Sequence, residues 1–177
     1  MNFFKLYKCL NLYNLMKLIV ALDKNNGIGF ENKLPWNHKC DLKYFSKLTK
    51  GLNNNCIIMG KNTYLSIGKP LPNRINIVLS TTLEDDNVKI FPTLELLLEY
   101  LNNNVFDDIW VIGGLQIYNL FLSKNLINEL FVTYINKEYL CDTYFPFIEN
   151  NFIEDNSYRK SEYSDKTEII YKKFIKK

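Results

Sequence analysis

The sequence predicts a single α/β domain built on a largely parallel sheet. Three observations predict it. Short apolar runs alternate with segments of helical spacing along most of the chain. The runs are continuously apolar, which suits strands covered on both faces. The last stretch breaks the alternation: two strand-like runs follow one another with no convincing helix between them, so they are expected to pair antiparallel at the sheet edge. A chain of 177 residues is the size of one domain and long enough to bury a core.

Each element has a local reason. "KLIVALD" (17–23) is the first buried strand, and a loop follows to about residue 39. In "DLKYFSKLT" (41–49), Leu42, Phe45 and Leu48 lie on one helical stripe, and Gly51 follows as a stop. "NCIIMG" (55–60) is the second strand, and "KNTYLSIG" (61–68) is a short helical turn closed by Gly68. "INIVLS" (75–80) and "VKIF" (88–91) are the third and fourth strands. Pro92 and Thr93 start the helix "LELLLEYL" (94–101), with Thr93 as its N-cap. "DIWVIGG" (108–114) is the fifth strand and "LQIYNLFL" (115–122) the next helix. "ELFVTYIN" (129–136) and "TEIIYKKFI" (167–175) are the two closing strands. The loop between them, 137–166, exceeds usual connection lengths, and long loops tend to be functional or mobile.

Composition narrows the function classes. Hydrophobic residues at 47% and charged residues at 23% are an ordinary globular balance, and a net charge of +3 is too small to argue for nucleic acid. The basic cluster Lys172, Lys173, Lys176 and Lys177 reads as a solvated strand end. Cys9, Cys40, Cys56 and Cys141 show no CxxC spacing, and His38 is the single histidine, so no zinc set is expected. The thiols are expected reduced, and His38 is expected exposed on its loop, without a partner. No apolar run reaches the ~18 residues of a membrane span. In residues 1–15, Phe3, Leu6, Tyr7 and Leu10 follow helical spacing, yet no Arg and no small-residue cleavage site occur. These residues are taken as an N-terminal extension of unknown role, with the domain at 16–177.

Several stretches could carry chemistry. In "VIGGLQIY" (111–118) an apolar strand ends in Gly113-Gly114 and runs straight into a helix. Glycines there let a phosphate approach backbone N–H groups at the positive helix end, although a tight turn explains them equally, and the pattern is not GxGxxG. In "IMGKNTYLSIGKPLPNR" (58–74), Lys61, Asn62 and Thr63 open a helical turn after Gly60 and would suit a phosphate; alone, Lys61 reads as readily as a solvated charge. Pro70 and Pro72 fix an extended turn that presents Arg74, which could grip a carboxylate bidentately or form a surface ion pair. Asp41 opens an apolar helix just after Pro35 and Trp36. Taken alone, its charge is accounted for by the helix dipole; beside Leu42 and Phe45, which want burial, it could also pair with a cationic or donor-rich ligand.

The order of "NGIGFENKLPW", "DLKYF", "IMGKNTYLSIGKPLPNR", "VIGGLQIY", "LFVTYIN" and "DTYFP" resembles the dihydrofolate reductase family, from about Lys17 to Lys177. The length resembles its short, monofunctional form. The resemblance implies a central eight-stranded, mostly parallel sheet with an antiparallel C-terminal strand and about four flanking helices. It implies hydride transfer from NADPH to dihydrofolate, giving tetrahydrofolate, with no metal and no covalent intermediate. It further implies inhibition by methotrexate-like antifolates; no nucleic-acid or membrane partner is expected, the chain is expected to be a monomer, and the cytoplasm is taken as its location by default.

By position, Asp41 resembles the single acid of the folate pocket, with Thr133 as its companion. The acid favours protonation of the substrate's imine nitrogen, with water delivering the proton. Ile19 and Val20 would line the pocket from the first strand, and Leu42, Phe45, Ile67 and Leu71 would wall the rings. Arg74 would take the glutamate α-carboxylate, and Ile112 would close the nicotinamide side. For the cofactor, the resemblance implies Gly60, Lys61, Asn62 and Thr63, then Leu79, Ser80 and Thr81, then Gly113, Gly114, Leu115, Gln116, Ile117 and Tyr118. The family joins its glycine pair by a cis peptide. Ala21, Ile28 and Gly29 would hold the nicotinamide carboxamide region. The loop from about Asp23 to Lys39 matches the mobile active-site loop; Gly27 and Gly29 give it freedom, and Leu34, Pro35 and Trp36 cover the site. Leu34 and Trp36 count with Asp41 among the catalytic positions. Asp142 would couple a second loop to the first near Gly29.

There are departures. Lys61 stands where an Arg is common, so a planar fork is replaced by a point charge, and Asn62 replaces a residue that is often basic. Leu115-Gln116 follow the glycine pair where a third small residue is frequent. Two other readings remain open: a pyrimidine reductase of riboflavin synthesis on the same fold, against which Asp41, Phe45 and Arg74 argue, and a folate- or nucleotide-binding protein without turnover.

Overall fold

A computed structural model describes residues 16–52, 54–146 and 151–177. The expected extension over 1–15, with Cys9, lies outside the described residues. Strand β1 (Met16–Leu22) is followed by the short β2 (Gly27–Gly29), helix α1 (Lys39–Lys50), β3 (Cys56–Gly60), α2 (Lys61–Ile67), β4 (Ile75–Leu79) and β5 (Lys89–Phe91). Then come α3 (Leu94–Asn103), β6 (Ile109–Gly113), α4 (Leu115–Ser123) and β7 (Glu129–Ile135). The chain closes with β8 (Thr143–Tyr144), β9 (Phe152–Glu154), β10 (Lys160–Ser164) and β11 (Thr167–Lys176).

Eight strands form one continuous path, β10-β11-β7-β1-β6-β3-β4-β5, and β9 pairs with the far end of β11. The six strands from β7 to β5 are mutually parallel. β11 runs antiparallel to β7, and β10 antiparallel to β11. Four helices are present among the described residues. Alternation along the strands sorts the core into two layers. Leu18, Val20, Ile58, Ile77, Val111 and Val132 face Leu97, Leu101 and Phe121 of α3 and α4. Ile19, Ile57, Met59, Val78, Trp110, Ile112 and Phe131 face Tyr44, Phe45, Leu48, Tyr64 and Ile67 of α1 and α2. Covering both faces is what continuous apolar strands require.

Two expectations are corrected. The segment 137–166 is not one loop, for it carries β8, β9 and β10. The sheet edge is therefore β10, not one of the two closing strands read from the sequence. The sequence KSEYS of β10 is polar and mostly exposed, so it offers no apolar pattern; its strand conformation comes from pairing with β11. The connecting turn places both Asp165 and Lys166 at positive φ, which joins two strands tightly without the Asn-Gly signal that usually marks such a hairpin.

Candidate active site

The ladder between β1 and β6 runs from Met16–Ile109 to Leu18–Val111 and stops, while β1 stays paired with β7 as far as Leu22–Tyr134. Beyond Leu18 the two central strands part at their carboxyl ends. The Tyr118 hydroxyl of α4 is buried in the parting and shares its proton between the carbonyls of Ile19 and Ile112, 2.9 Å from each. A crevice at the carboxyl ends of parallel strands is where ligands bind in such sheets.

Asp41 borders this crevice. His38 is the N-cap residue of α1, and its carbonyl accepts the Leu42 N–H at 3.2 Å. That places Asp41 in the first helical turn, 6% exposed. The helix begins at Lys39, two residues earlier than the sequence suggested. Thr133, buried on β7 beside Ala21 of β1, hydrogen-bonds the carboxyl. Burial pushes the Asp41 carboxyl up to about 6, and the Thr133 hydroxyl pulls against that shift.

Ile19 and Ile112 face the same layer as Phe45, Ile67 and Leu71, so these five form one apolar wall. Val20 points the other way, into the layer of α3 and α4; its side chain is outside the crevice, and only its main chain can reach it. This is the period-two alternation of a strand. Leu42 is 47% exposed beside Asp41, and Leu34 is 51% exposed on the loop. Trp36 is buried against Ala21, Cys40, Tyr44 and Tyr139; its Nε1 is buried with no hydrogen-bond partner among the described residues.

Arg74 stands at the outer end of the wall. Its Nη1 donates to Thr49 Oγ1 at 2.6 Å, its Nε to the Pro72 carbonyl at 3.1 Å, and its guanidinium lies 5.9 Å from the Phe45 ring centre. The turn that presents it is stapled by Asn76, a residue the sequence reading missed. Asn76 Oδ1 accepts the Leu71 N–H at 2.8 Å, and its Nδ2 donates to the carbonyls of Leu71 and Arg74, both at 2.9 Å. An Asn in a buried strand, after a Pro-rich turn, was the available signal.

On the other side of β6, two helix starts converge. α2 follows Gly60 and α4 follows Gly114, and neither has a side-chain cap. A Cβ on Gly60 would come within 3.1 Å of Ile117, and one on Gly114 within 3.2 Å of Thr63 Oγ1. Gly113 has φ +116°, and a Cβ there would meet the Tyr118 ring at 3.0 Å. The Gly113-Gly114 peptide is cis. Lys61 Nζ donates to Thr82 Oγ1 at 2.9 Å, and Asn62 Nδ2 to Asn32 Oδ1 at 3.3 Å. Leu79 ends β4; Ser80 Oγ caps the following turn through the Thr82 and Leu83 N–H groups, and Thr81 is exposed beside it. Leu115 and Gln116 are the first residues of α4, Gln116 being exposed. Ala21 packs on the cluster that contains Trp36, whereas Ile28 packs on the layer of Tyr118 and Phe145.

The loop after β1 is tied down. Gly29 pairs with Thr143 between β2 and β8. The Asp142 N–H donates to the Gly29 carbonyl at 3.0 Å, and Asp142 Oδ2 accepts the Glu31 N–H at 2.8 Å. Hydrogen bonds from Glu31 and Thr143 hold the Asp142 carboxyl below its usual range. The expectation for His38 is overturned. It is 5% exposed, with Nδ1 3.1 Å from Ser164 Oγ and Nε2 2.9 Å from the Tyr139 hydroxyl. Both partners lie more than a hundred residues away in sequence, so nothing local announced them.

Among the described residues, no group of His, Cys, Asp or Glu could hold a metal ion, and no helix is long and apolar enough to cross a membrane. A family model described as dihydrofolate reductase matches residues 15–176. The dihydrofolate reductase of Drosophila melanogaster is 39% identical over 149 residues, covering 77% of this chain and 82% of that protein. That of Haemophilus influenzae is 39% identical over 148 residues, covering 82% and 88%. A putative dihydrofolate reductase of Caenorhabditis elegans is 36% identical over 153 residues, covering 78% and 81%.

Proposed function

This chain belongs to the dihydrofolate reductase family and is an oxidoreductase that reduces dihydrofolate with a nicotinamide cofactor; from that premise we propose which of its residues do the work and that NADPH is the donor.

The observation that carries the reading is the single buried carboxyl of Asp41 in an otherwise apolar crevice, hydrogen-bonded by Thr133. A buried acid without a cationic partner is costly unless a ligand supplies donors. The pterin ring carries an amino group and an adjacent ring N–H on one edge, and Asp41 accepts both. Ionised in that complex, it stabilises the positive charge that forms when the imine nitrogen takes a proton from water. Protonation there draws electron density from the neighbouring carbon and readies it for hydride. Phe45, Ile67, Leu71, Ile19 and Ile112 hold the rings, and Leu42 borders them. Arg74 takes the glutamate α-carboxylate. Leu34 and Trp36 exclude water when the loop lies over the crevice.

The cofactor half fits an extended, anionic dinucleotide. Two uncapped helix starts offer N–H groups to phosphate, and Gly60 and Gly114 let those starts pack closely, since a Cβ there would meet Ile117 and Thr63. Gly60, Thr63, Gly113, Gly114, Leu115, Gln116 and Ile117 serve the pyrophosphate. Leu79, Ser80 and Thr81 serve the adenosine, with Lys61 and Asn62 beside the phosphate that distinguishes NADPH. Ala21, Ile28, Gly29 and Tyr118 serve the nicotinamide end. When bound, NADPH supplies the hydride. The described cysteines Cys40, Cys56 and Cys141 are free thiols, which agrees with a reducing setting.

The test is oxidation of NADPH that depends on dihydrofolate, comparing wild type with Asp41→Asn across pH. The reading expects robust wild-type turnover and a loss of about a hundredfold or more in the variant, of the size seen when a charge-stabilising group is removed. The loss eases at low pH, where solvent protonates the substrate unaided. Wild-type rates in Asp41→Asn would overturn it. Replacing Lys61 by Ala should narrow the ratio of NADPH to NADH activity; an unchanged ratio removes Lys61 from cofactor choice.

A further inference from the structure

The segment between β1 and α1 has to hold Trp36 and Asp41 still, yet it contains only β2 and one isolated bridge, Phe30 with Lys33. Asn26, Glu31 and Asn32 are at positive φ, and α1 has no side-chain cap. Local structure therefore fixes only part of it, through the turn from Asp23 to Gly27 and the Phe30–Lys33 bridge. Its two ends are fixed by one residue from another part of the chain. At the front, Asp23 is 1% exposed; its Oδ1 accepts N–H groups of Asn25 (2.8 Å) and Gly27 (2.7 Å), and its Oδ2 accepts the Tyr139 N–H at 3.0 Å. At the rear, His38 Nε2 meets the Tyr139 hydroxyl at 2.9 Å. Between them, Trp36 packs on the Tyr139 ring, with centroids 5.3 Å apart. Tyr139 is thus a post to which both ends of the loop are tied. The other nitrogen of His38 reaches Ser164 at the end of β10, which anchors the imidazole to the sheet edge.

We propose that His38 is a positioning residue for hydride transfer: by joining Tyr139 and Ser164 to the start of α1, it holds Trp36 and Asp41 in the arrangement that closes the crevice. The inference rests on the reading above that Asp41 and Trp36 belong to the reacting site. Both ring nitrogens of His38 are taken by Tyr139 and Ser164, so it acts through Trp36 and Asp41. Both hydroxyl partners can donate or accept, so either neutral tautomer of the imidazole satisfies the pair. Leucine at this position fills similar space and makes neither bond.

The experiment uses the full chain with His38→Leu, Tyr139→Phe, the double variant and Asp41→Asn. Three quantities are read: the single-turnover rate of hydride transfer at saturating NADPH and dihydrofolate, KM for dihydrofolate, and Tm. A displacement of well under ~1 Å suffices for about a tenfold loss of rate in His38→Leu. Tyr139→Phe, which keeps the buried ring, should lose rate in the same direction. The double variant should be no slower than His38→Leu, since Tyr139→Phe removes only a bond that His38→Leu has already removed, and KM should stay within about twofold of wild type. Single-turnover rates within about twofold of wild type in folded His38→Leu and Tyr139→Phe would overturn the inference. So would losses that multiply in the double variant, or a KM that rises in step with the loss. If His38→Leu does not fold, Tyr139→Phe decides alone. If Asp41→Asn keeps the wild-type rate, the reading of the site has failed, and that result is separate from the behaviour of His38.

Discussion

The Thr133 hydroxyl, from the middle of β7, hydrogen-bonds the Asp41 carboxyl in the first turn of α1. It joins the sheet to the helix at the one place where a charge is buried in the crevice. Burial outweighs that bond and leaves the carboxyl titrating at about 6.

Stability should therefore fall as pH rises through this range. Asp41 takes its proton more readily in the folded chain than in the unfolded one, so between about pH 4 and pH 6 the folded state binds more protons, and unfolding becomes easier as pH increases. The Asp41→Asn variant should lack this slope and be more stable than wild type at pH 7 by roughly 2 kcal/mol, while losing activity. Urea unfolding at several pH values checks it; parallel pH dependence in the two proteins would contradict it.

Asn76→Ala should loosen the turn that carries Leu71 and Arg74. Three hydrogen bonds disappear, and the stability cost is about 2 kcal/mol. The catalytic groups are untouched, so KM for dihydrofolate should rise several-fold with kcat nearly preserved. Steady-state kinetics read this directly.

Gly113→Ala should be far worse than Gly114→Ala. A side chain at Gly113 faces both a positive φ and the Tyr118 ring, whereas at Gly114 it meets only the Thr63 hydroxyl. Loss of more than ~2 kcal/mol is expected for the first. The second should fold and bind NADPH more weakly, which fluorescence titration with the cofactor measures.

Asp142→Ala should release the loop at Glu31 while leaving the β2–β8 bond made by its own backbone. Hydride transfer in a single turnover should slow about fivefold to tenfold, with Tm changed by little, because the bond is exposed. An unchanged single-turnover rate would count against loop coupling by Asp142.

The parallel sheet, the four helices and the position of Asp41 were legible because each rests on a local pattern: unbroken apolar runs, helical stripes, an acid before an apolar face. β10 was not legible, since its polar residues show no apolar alternation and its strand is made by the ladder with β11. The face taken by the Val20 side chain was not legible because a fully apolar strand hides which side chain faces which layer. His38 and Asn76 could not be placed because their partners are assembled by folding. For His38 these come from the loop before β8 and from the end of β10.

The parting of β1 from β6 has a consequence for the timing of ligand entry. With Tyr118 satisfying the carbonyls of Ile19 and Ile112, the strands have no hydrogen bonds to exchange across the gap, and an arriving ring has no ladder to unzip. The slot is finished when the chain finishes folding. In the proposed reading the sheet beneath is a fixed mould, and the encounter with the flat end of a substrate is left to the loop after β1.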